Sequence, residues 1–194
     1  FQLLTGNSDA TSGDVRVLSQ KLTPDNAALK RTIGYLPQDP TLPQWATAHE
    51  VLVYAAQLYG LEGAKERVDA AERQWDCSSY RGKPLATLSY GMQKRVGLAL
   101  ATLHDPALLI LDEPFSGLDL NHIKTLEQAI VARSASGKCT VLSTHVLSFC
   151  TRLCSEVLIL AAGRLISVPG WETLRLDERE AAIETCFFAA EGSP

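Results

Sequence analysis

Apolar and polar positions follow two rhythms along this chain, and the change between them outlines the fold. Phe1-Gln2-Leu3-Leu4 followed by Thr5-Gly6 reads as the end of an apolar helix closed by a turn. Ser12-Gly13-Asp14 is a turn, and Val15-Arg16-Val17-Leu18 is a short strand. Leu29–Arg31 leads into Ile33-Gly34-Tyr35-Leu36, a β-prone segment ended by Pro37. The prolines of Pro37-Gln38-Asp39-Pro40 forbid regular structure there, so Gln38 lies in a loop. Thr47-Ala48-His49-Glu50 has the Ser/Thr-x-x-Glu form of a reciprocal helix cap. Val51, Leu52, Ala55, Leu58 and Tyr59 continue at helical spacing until Gly60. A mostly polar helix from Ala64 to Trp75 follows, then an irregular stretch from Cys77 to Pro84. A third helix begins after Ser89, with Met92, Val96, Ala99, Leu100 and Leu103 on one face.

Beyond Pro106 the rhythm becomes strand–helix alternation. Ala107–Leu111 is an unbroken apolar run of strand length, as expected for a strand buried on both faces. Ile123, Leu126, Ile130 and Val131 mark a helix before Gly137, Thr140–Ser143 a strand, and Val146 to Cys154 a helix. Val157–Leu160 and Arg164–Ser167 flank Ala161-Ala162-Gly163, a hairpin signal. From Trp171 onward helical periodicity is weak, carried by Leu174, Leu176, Ala182, Ile183 and Phe187. No internal repeat is present. The pattern predicts an α/β fold: a mostly parallel core interrupted by a helical insert at about residues 43–100.

Composition narrows this picture little. A length of 194 residues suits one domain, or one domain with an insert. With 46% hydrophobic and 21% charged residues the chain is expected to fold rather than stay disordered. A net charge of −4 argues against a strongly basic nucleic-acid binder, and no nucleic-acid partner is expected. No apolar run approaches the roughly 20 residues that span a bilayer. The first residues carry neither an initiator Met nor a basic leader, and the chain is expected to start inside a domain. The five cysteines form no C-x-x-C pair and are expected to be reduced thiols.

Candidate chemistry clusters after strands and at helix starts. Leu108-Leu109-Ile110-Leu111 delivers Asp112 and Glu113 at the C-terminal end of a buried strand, where open α/β sheets bind ligands. A carboxylate there can hold Mg²⁺, which prefers oxygen ligands and phosphates, and its neighbour can act as a general base on water. Leu88-Ser89-Tyr90-Gly91-Met92 opens a helix, where backbone N–H groups suit a phosphate. Alone, Ser89 reads better as an ordinary cap. Gln38 could orient a water from its loop, and His145, just after the strand Thr140–Ser143, could donate to a phosphate. Ser116-Gly117-Leu118-Asp119 reads by itself as a tight turn.

The order and spacing of these five segments resemble an ATP-binding cassette (ABC) ATPase. Gln38 matches the Q-loop, Leu88–Met92 the signature, Asp112-Glu113 Walker B, Ser116–Asp119 the D-loop and His145 the H-loop. The resemblance runs from Phe1 to about Val168. Tyr35-Leu36-Pro37-Gln38, Met92 and Ser143–Ser148 resemble the drug- and polysaccharide-exporter branch. It implies a P-loop NTPase-type three-layer sandwich with a mostly parallel sheet and an inserted α-helical subdomain. By this resemblance residues 1–42 are core, 43–100 the helical subdomain, 101–170 core again, and 171–194 a C-terminal extension. The implied ligands are ATP, as substrate, and Mg²⁺, held by Asp112 with Gln38. Glu113, Gln38 and His145 are the implied catalytic residues. Ser89, Gly91, Met92 and Asp119 are implied to meet the nucleotide across a head-to-tail dimer with a second ABC domain. A membrane-spanning permease is the implied partner, contacted near Gln38 to Tyr59, and the place is the cytoplasmic face of the cell membrane.

Two departures stand out. Tyr90 occupies a position where the family usually has Gly, and Met92 one where Gln is commonest. The phosphate-cradling pattern G-x-x-x-x-G-K-[ST] is absent, since no two of the 13 glycines are five residues apart. The N-terminal part of the domain is therefore expected to be missing, and the chain by itself to turn over no ATP. Its loss would expose strand edges. A soluble or regulatory ABC protein not coupled to transport is the other reading of the same motifs. Only 50 residues separate Gln38 from Ser89, too few for the coiled-coil arms of the repair-type ATPases.

Overall fold

The computed structural model describes residues 1–23 and 25–191, so positions 192–194 of the expected C-terminal extension lie outside the described residues. The first helix, α1 (Gln2–Thr5), stops at Gly6, which takes the left-handed conformation at φ 69°. Strands β1 (Arg16–Val17) and β2 (Gln20–Lys21) pair antiparallel. The strand expected over Val15–Leu18 is shorter because Leu18 and Ser19 turn the chain, at φ 49° and 63°. Both central residues at positive φ is the geometry of a two-residue hairpin turn. The Asn26 side chain accepts from the Leu29 N–H and caps α2 (Ala27–Lys30), which leads into β3 (Ile33–Leu36).

Three helices follow: α3 (Ala48–Tyr59), α4 (Ala64–Gln74) and α5 (Tyr90–Thr102). They pack on one another in all three pairings. The cap on α3 forms as expected: Thr47 Oγ1 accepts from the Glu50 N–H, and Glu50 accepts from the Thr47 N–H at 2.8 Å. Gly60 ends the helix at φ 65°. The buried stripe of α3 is Ala48, Val51, Leu52 and Ala56. Leu58, expected inside, is exposed, although it lies only about 20° around the helix from the buried Val51. Trp75, after α4, is buried, and its Nε1 donates to the Thr102 hydroxyl at 3.0 Å.

The apolar run after Pro106 forms β4 (Leu108–Asp112), followed by α6 (Leu120–Ala135) and β5 (Cys139–Ser143). β4 is the middle of a parallel sheet ordered β3-β4-β5, with Ile33 beside Leu108 and Leu108 beside Cys139. A central strand covered on both faces buries every side chain, and Leu108 to Leu111 are all buried. On one face Ile33, Leu108 and Ile110 pack with Val17 and Leu29, and Phe1, Leu4, Leu22, Tyr35 and Val141 close around them. On the other face lies α5, so close that a Cβ on Gly34 would collide with the Ala101 carbonyl oxygen. Helix α6 packs on β5, where Arg133 donates to the Thr140 hydroxyl at 3.3 Å and to the Pro106 carbonyl at 2.8 Å. Sheet and covering elements therefore make three layers within residues Phe1–Ser143.

Thr144–Pro194 forms a second compact unit. It contains α7 (Leu147–Leu153), the hairpin β6 (Leu158–Ala161) and β7 (Arg164–Ser167), and α8 (Leu176–Glu191). Its core is Val157, Ile159, Ala161, Val168, Trp171 and Ile183. Trp171 Nε1 donates to the Cys154 carbonyl at 2.9 Å, and the Arg179 guanidinium sits 4.8 Å from the indole ring. All five cysteines are free thiols.

Candidate functional site

The parallel register places Asp112 beside Ser143 at the C-terminal ends of β4 and β5. The Ser143 hydroxyl donates to Asp112 Oδ1 at 2.5 Å and accepts from the Glu113 N–H at 3.0 Å. One side chain thus orients the Asp112 carboxylate and the start of the next turn. Glu113 leaves the strand at φ 44°, a left-handed conformation unfavourable for a residue with a side chain. Its carbonyl accepts from the Ser116 hydroxyl at 3.0 Å and from Lys94 Nζ at 2.8 Å. Close to this corner, Tyr35 has its phenol pushed above its ordinary value, mainly by burial and then by the Asp112 charge.

Helix α5 begins beside this corner. Ser89 is its N-cap, with its hydroxyl accepting from the Met92 N–H at 3.3 Å. Gly91 is needed for close approach: a Cβ there would lie 2.5 Å from the Gly117 carbonyl oxygen. Tyr90 lays its ring against Gly117 and donates its hydroxyl to the Gln38 carbonyl at 2.9 Å. The departure at Tyr90 is thus a packing and tethering residue. Gln38 itself is exposed in the loop after β3, and its carbonyl also accepts from Lys94 Nζ at 2.9 Å.

The turn Ser116–Asp119 passes over this helix start, with Gly117 at φ 74°. Asp119 caps α6, accepting from the Asn121 and His122 N–H groups at 3.0 and 3.1 Å. These bonds, with the His122 ring 2.8 Å away, hold its carboxyl below the usual range. The structure therefore brings together Gln38, Ser89, Gly91, Asp112, Glu113 and the Ser116–Asp119 turn. His145 lies just beyond β5, exposed, in the second unit.

Two residues of this corner, Ser143 and Lys94, carried no sequence signal strong enough to single them out, and Tyr90, which stands out as a departure, carried no signal of its contact with Gln38. Lys94 is fully buried, and burial pushes its ammonium below the ordinary value against the pull of Asp39, Glu113 and Asp112. A lysine set between the buried positions of α5 was the available hint. Among the described residues no group of three or more His, Cys, Asp or Glu side chains could hold a metal. A lone carboxylate such as Asp112 fits Mg²⁺, which keeps waters and takes oxygens from phosphates.

The model of the ABC transporter family matches residues 1–116. The uncharacterized ABC transporter ATP-binding protein YhaQ of Bacillus subtilis is 35% identical over 167 residues, 84% of this chain and 55% of its own length. The Nod factor export ATP-binding protein I of Sinorhizobium fredii is 35% identical over 182 residues, 92% of this chain and 52% of its own. The chain spans about half the length of these curated relatives. Among solved structures, an ATP-binding subunit of an ABC transporter superposes with a TM-score of 0.82 at 28% identity, covering 94% of this chain and 81% of that one. A dimeric post-hydrolysis ATP-binding cassette, MJ0796, bound to ADP and Pi, shares the fold at a TM-score of 0.77 and 21% identity, covering 87% and 79%. The fold is thus that of the P-loop NTPases, and by its matched sequence and its sheet-and-insert architecture the chain belongs to the ABC transporter family, in the ATP-binding part of it.

Proposed function

We propose that this chain is the nucleotide-binding part of an ABC exporter, coupling ATP binding and hydrolysis to the movement of a separate membrane-spanning partner. The observation that carries the reading is the corner itself. The Gln38 loop, the start of α5 and the Asp112-Glu113 turn are tied together by hydrogen bonds of 2.8–2.9 Å from Lys94 and Tyr90. Asp112, together with Gln38, would hold Mg²⁺. The ion would neutralise phosphate charge when bound. Glu113 polarises the attacking water, and Gln38 orients it. His145 steadies charge on the transferred phosphoryl group. Ser89, Gly91 and Met92 face the nucleotide of a second cassette in a head-to-tail dimer, and Asp119 crosses that interface.

The partner's contact surface is the helical insert. Trp45 is 86% exposed there, and Tyr54 and Leu58 project from α3 four residues apart. Large exposed apolar side chains of this kind mark interaction surfaces. No helix among the described residues is long and apolar enough to cross a membrane.

In an assembly with a second cassette and the membrane subunit, in which a phosphate-cradling loop is joined ahead of this chain, Glu113→Gln is expected to lower kcat about a hundredfold or more while ATP still binds. Unchanged hydrolysis in that variant rejects the assignment. The chain alone is expected to show no steady turnover, for want of a phosphate-cradling loop. Turnover by the isolated chain that Glu113→Gln abolishes would overturn that expectation.

A further inference from the structure

Lys94 is the one fully buried lysine among the described residues, and its surroundings are unusual. Its three near partners are neutral oxygens: the Glu113 carbonyl at 2.8 Å, the Gln38 carbonyl at 2.9 Å and the Ser116 hydroxyl at 3.2 Å. The Tyr90 hydroxyl lies at 3.5 Å and donates to the same Gln38 carbonyl. An ammonium has three N–H donors, so these oxygens saturate it. Burying a cation against neutral acceptors is unfavourable relative to an apolar side chain of similar length.

The partners explain what the charge does. The carbonyls of Gln38 and Glu113 come from two different strand ends, and Lys94 reaches both from α5. Glu113 has φ 44°, and such a conformation persists only where its surroundings hold it. Lys94 and Ser116 grip its carbonyl while Ser143 grips its N–H. We propose that Lys94 is a positioning residue, a clamp that sets the left-handed turn at Glu113 and ties it to the Gln38 loop so that the two keep one geometry. The function assigned to it rests on the ATPase reading above, whereas the clamp itself does not.

The test uses the chain without nucleotide. Backbone amide exchange and carbonyl ¹³C shifts are followed in Lys94→Met, Lys94→Gln and the native chain. In Lys94→Met the amides of Glu113, Ser116 and Leu118 are expected to exchange about tenfold faster. The carbonyl resonances of Gln38 and Glu113 are expected to move together. Amides of α3 and α4 keep their native protection. Lys94→Gln, a neutral donor, restores part of both effects. A uniform loss of protection across residues 1–143, a change at only one of the two carbonyls, or no change overturns the clamp. Should Lys94→Met fail to fold, Ser116→Ala replaces it: removal of one acceptor must speed exchange at Glu113 and Leu118, and unaltered exchange there overturns the proposal. In a hydrolysing assembly Lys94→Met lowers kcat at unchanged KM. If the native assembly hydrolyses no ATP, the ATPase reading fails while the exchange result stands on its own.

Discussion

At Gly34 the chain leaves no room for a side chain. A Cβ there would run into the Ala101 carbonyl of α5 and come within 2.7 Å of the Pro106 ring. Backbone cannot yield as a flexible side-chain tip can, so Gly34→Ala forces α5 away from β3. Overpacking of this kind destabilises by about 1–3 kcal/mol, and the expected result is a lower midpoint in urea with the same m-value. His104 makes a different demand. Its ring stacks on Tyr59 with centroids 4.0 Å apart, and Nε2 donates to the Ile33 carbonyl at 3.2 Å. Nδ1 is buried with no hydrogen-bond partner among the described residues. Burial holds this imidazole below its ordinary value of 6.5, outweighing the bond to Ile33. The unfolded chain therefore binds the proton more readily than the folded one. Stability is complete above about pH 6.5 and falls as the pH drops from there towards the depressed folded value. Thermal melts from pH 8 to 5 are expected to slope less in His104→Leu than in the native chain, and equal slopes would contradict the assignment.

The capping box of α3 shows how much an element depends on its first turn. Thr47 and Glu50 satisfy each other's N–H groups, and the two bonds from Thr47 hold the Glu50 carboxyl below its usual range. That contribution is present above the ordinary carboxylate range and is lost as the pH falls through the lowered value. Thr47→Ala is expected to cost about 1 kcal/mol, read as a lower thermal midpoint with amide protection lost first at residues 48–51. The elements most legible in the sequence were those whose signals are local. The Gly60 stop, the Ser89 cap and the apolar run of β4 all lie within a few residues of what they control. Less legible was the hairpin turn at Leu18-Ser19, which uses no Gly or Asn, and the outward position of Leu58. Periodicity lists apolar positions but not which of them the neighbouring helix covers.

On the scale of the whole molecule, unit Phe1–Ser143 and unit Thr144–Pro194 each carry a core of their own. The three-stranded sheet has β3 and β5 at its edges, and the β5 side chains Val141 and Leu142 are only half-buried. On the β6–β7 hairpin Leu158, Leu160 and Leu165 are 51%, 69% and 67% exposed. Unpaired strand edges and contiguous exposed leucines are templates for association. Purified by itself, the chain is expected to self-associate with rising concentration in light scattering. A monodisperse monomer that melts cooperatively would refute this.

Most of the candidate site was legible as residue types in order, and much less of it as geometry. Asp112, Glu113, Ser89, Gly91 and Asp119 announce themselves because each sits at a strand end or helix start that local periodicity marks. The sequence by itself therefore determined most of the longer elements, the caps at Thr47 and Ser89 and the order of the chemistry along the chain. Only the tertiary structure decided which atoms meet. Tyr90 and Lys94 reach the Gln38 carbonyl across 52 and 56 positions of sequence, and Ser143 reaches Asp112 across 31. The physical reason is range. Helical and strand periodicity is set by neighbours two to four residues apart. The meeting of Lys94, Gln38 and Glu113 instead depends on sheet register and on the close approach of α5 to β3 that Gly34 and Gly97 permit.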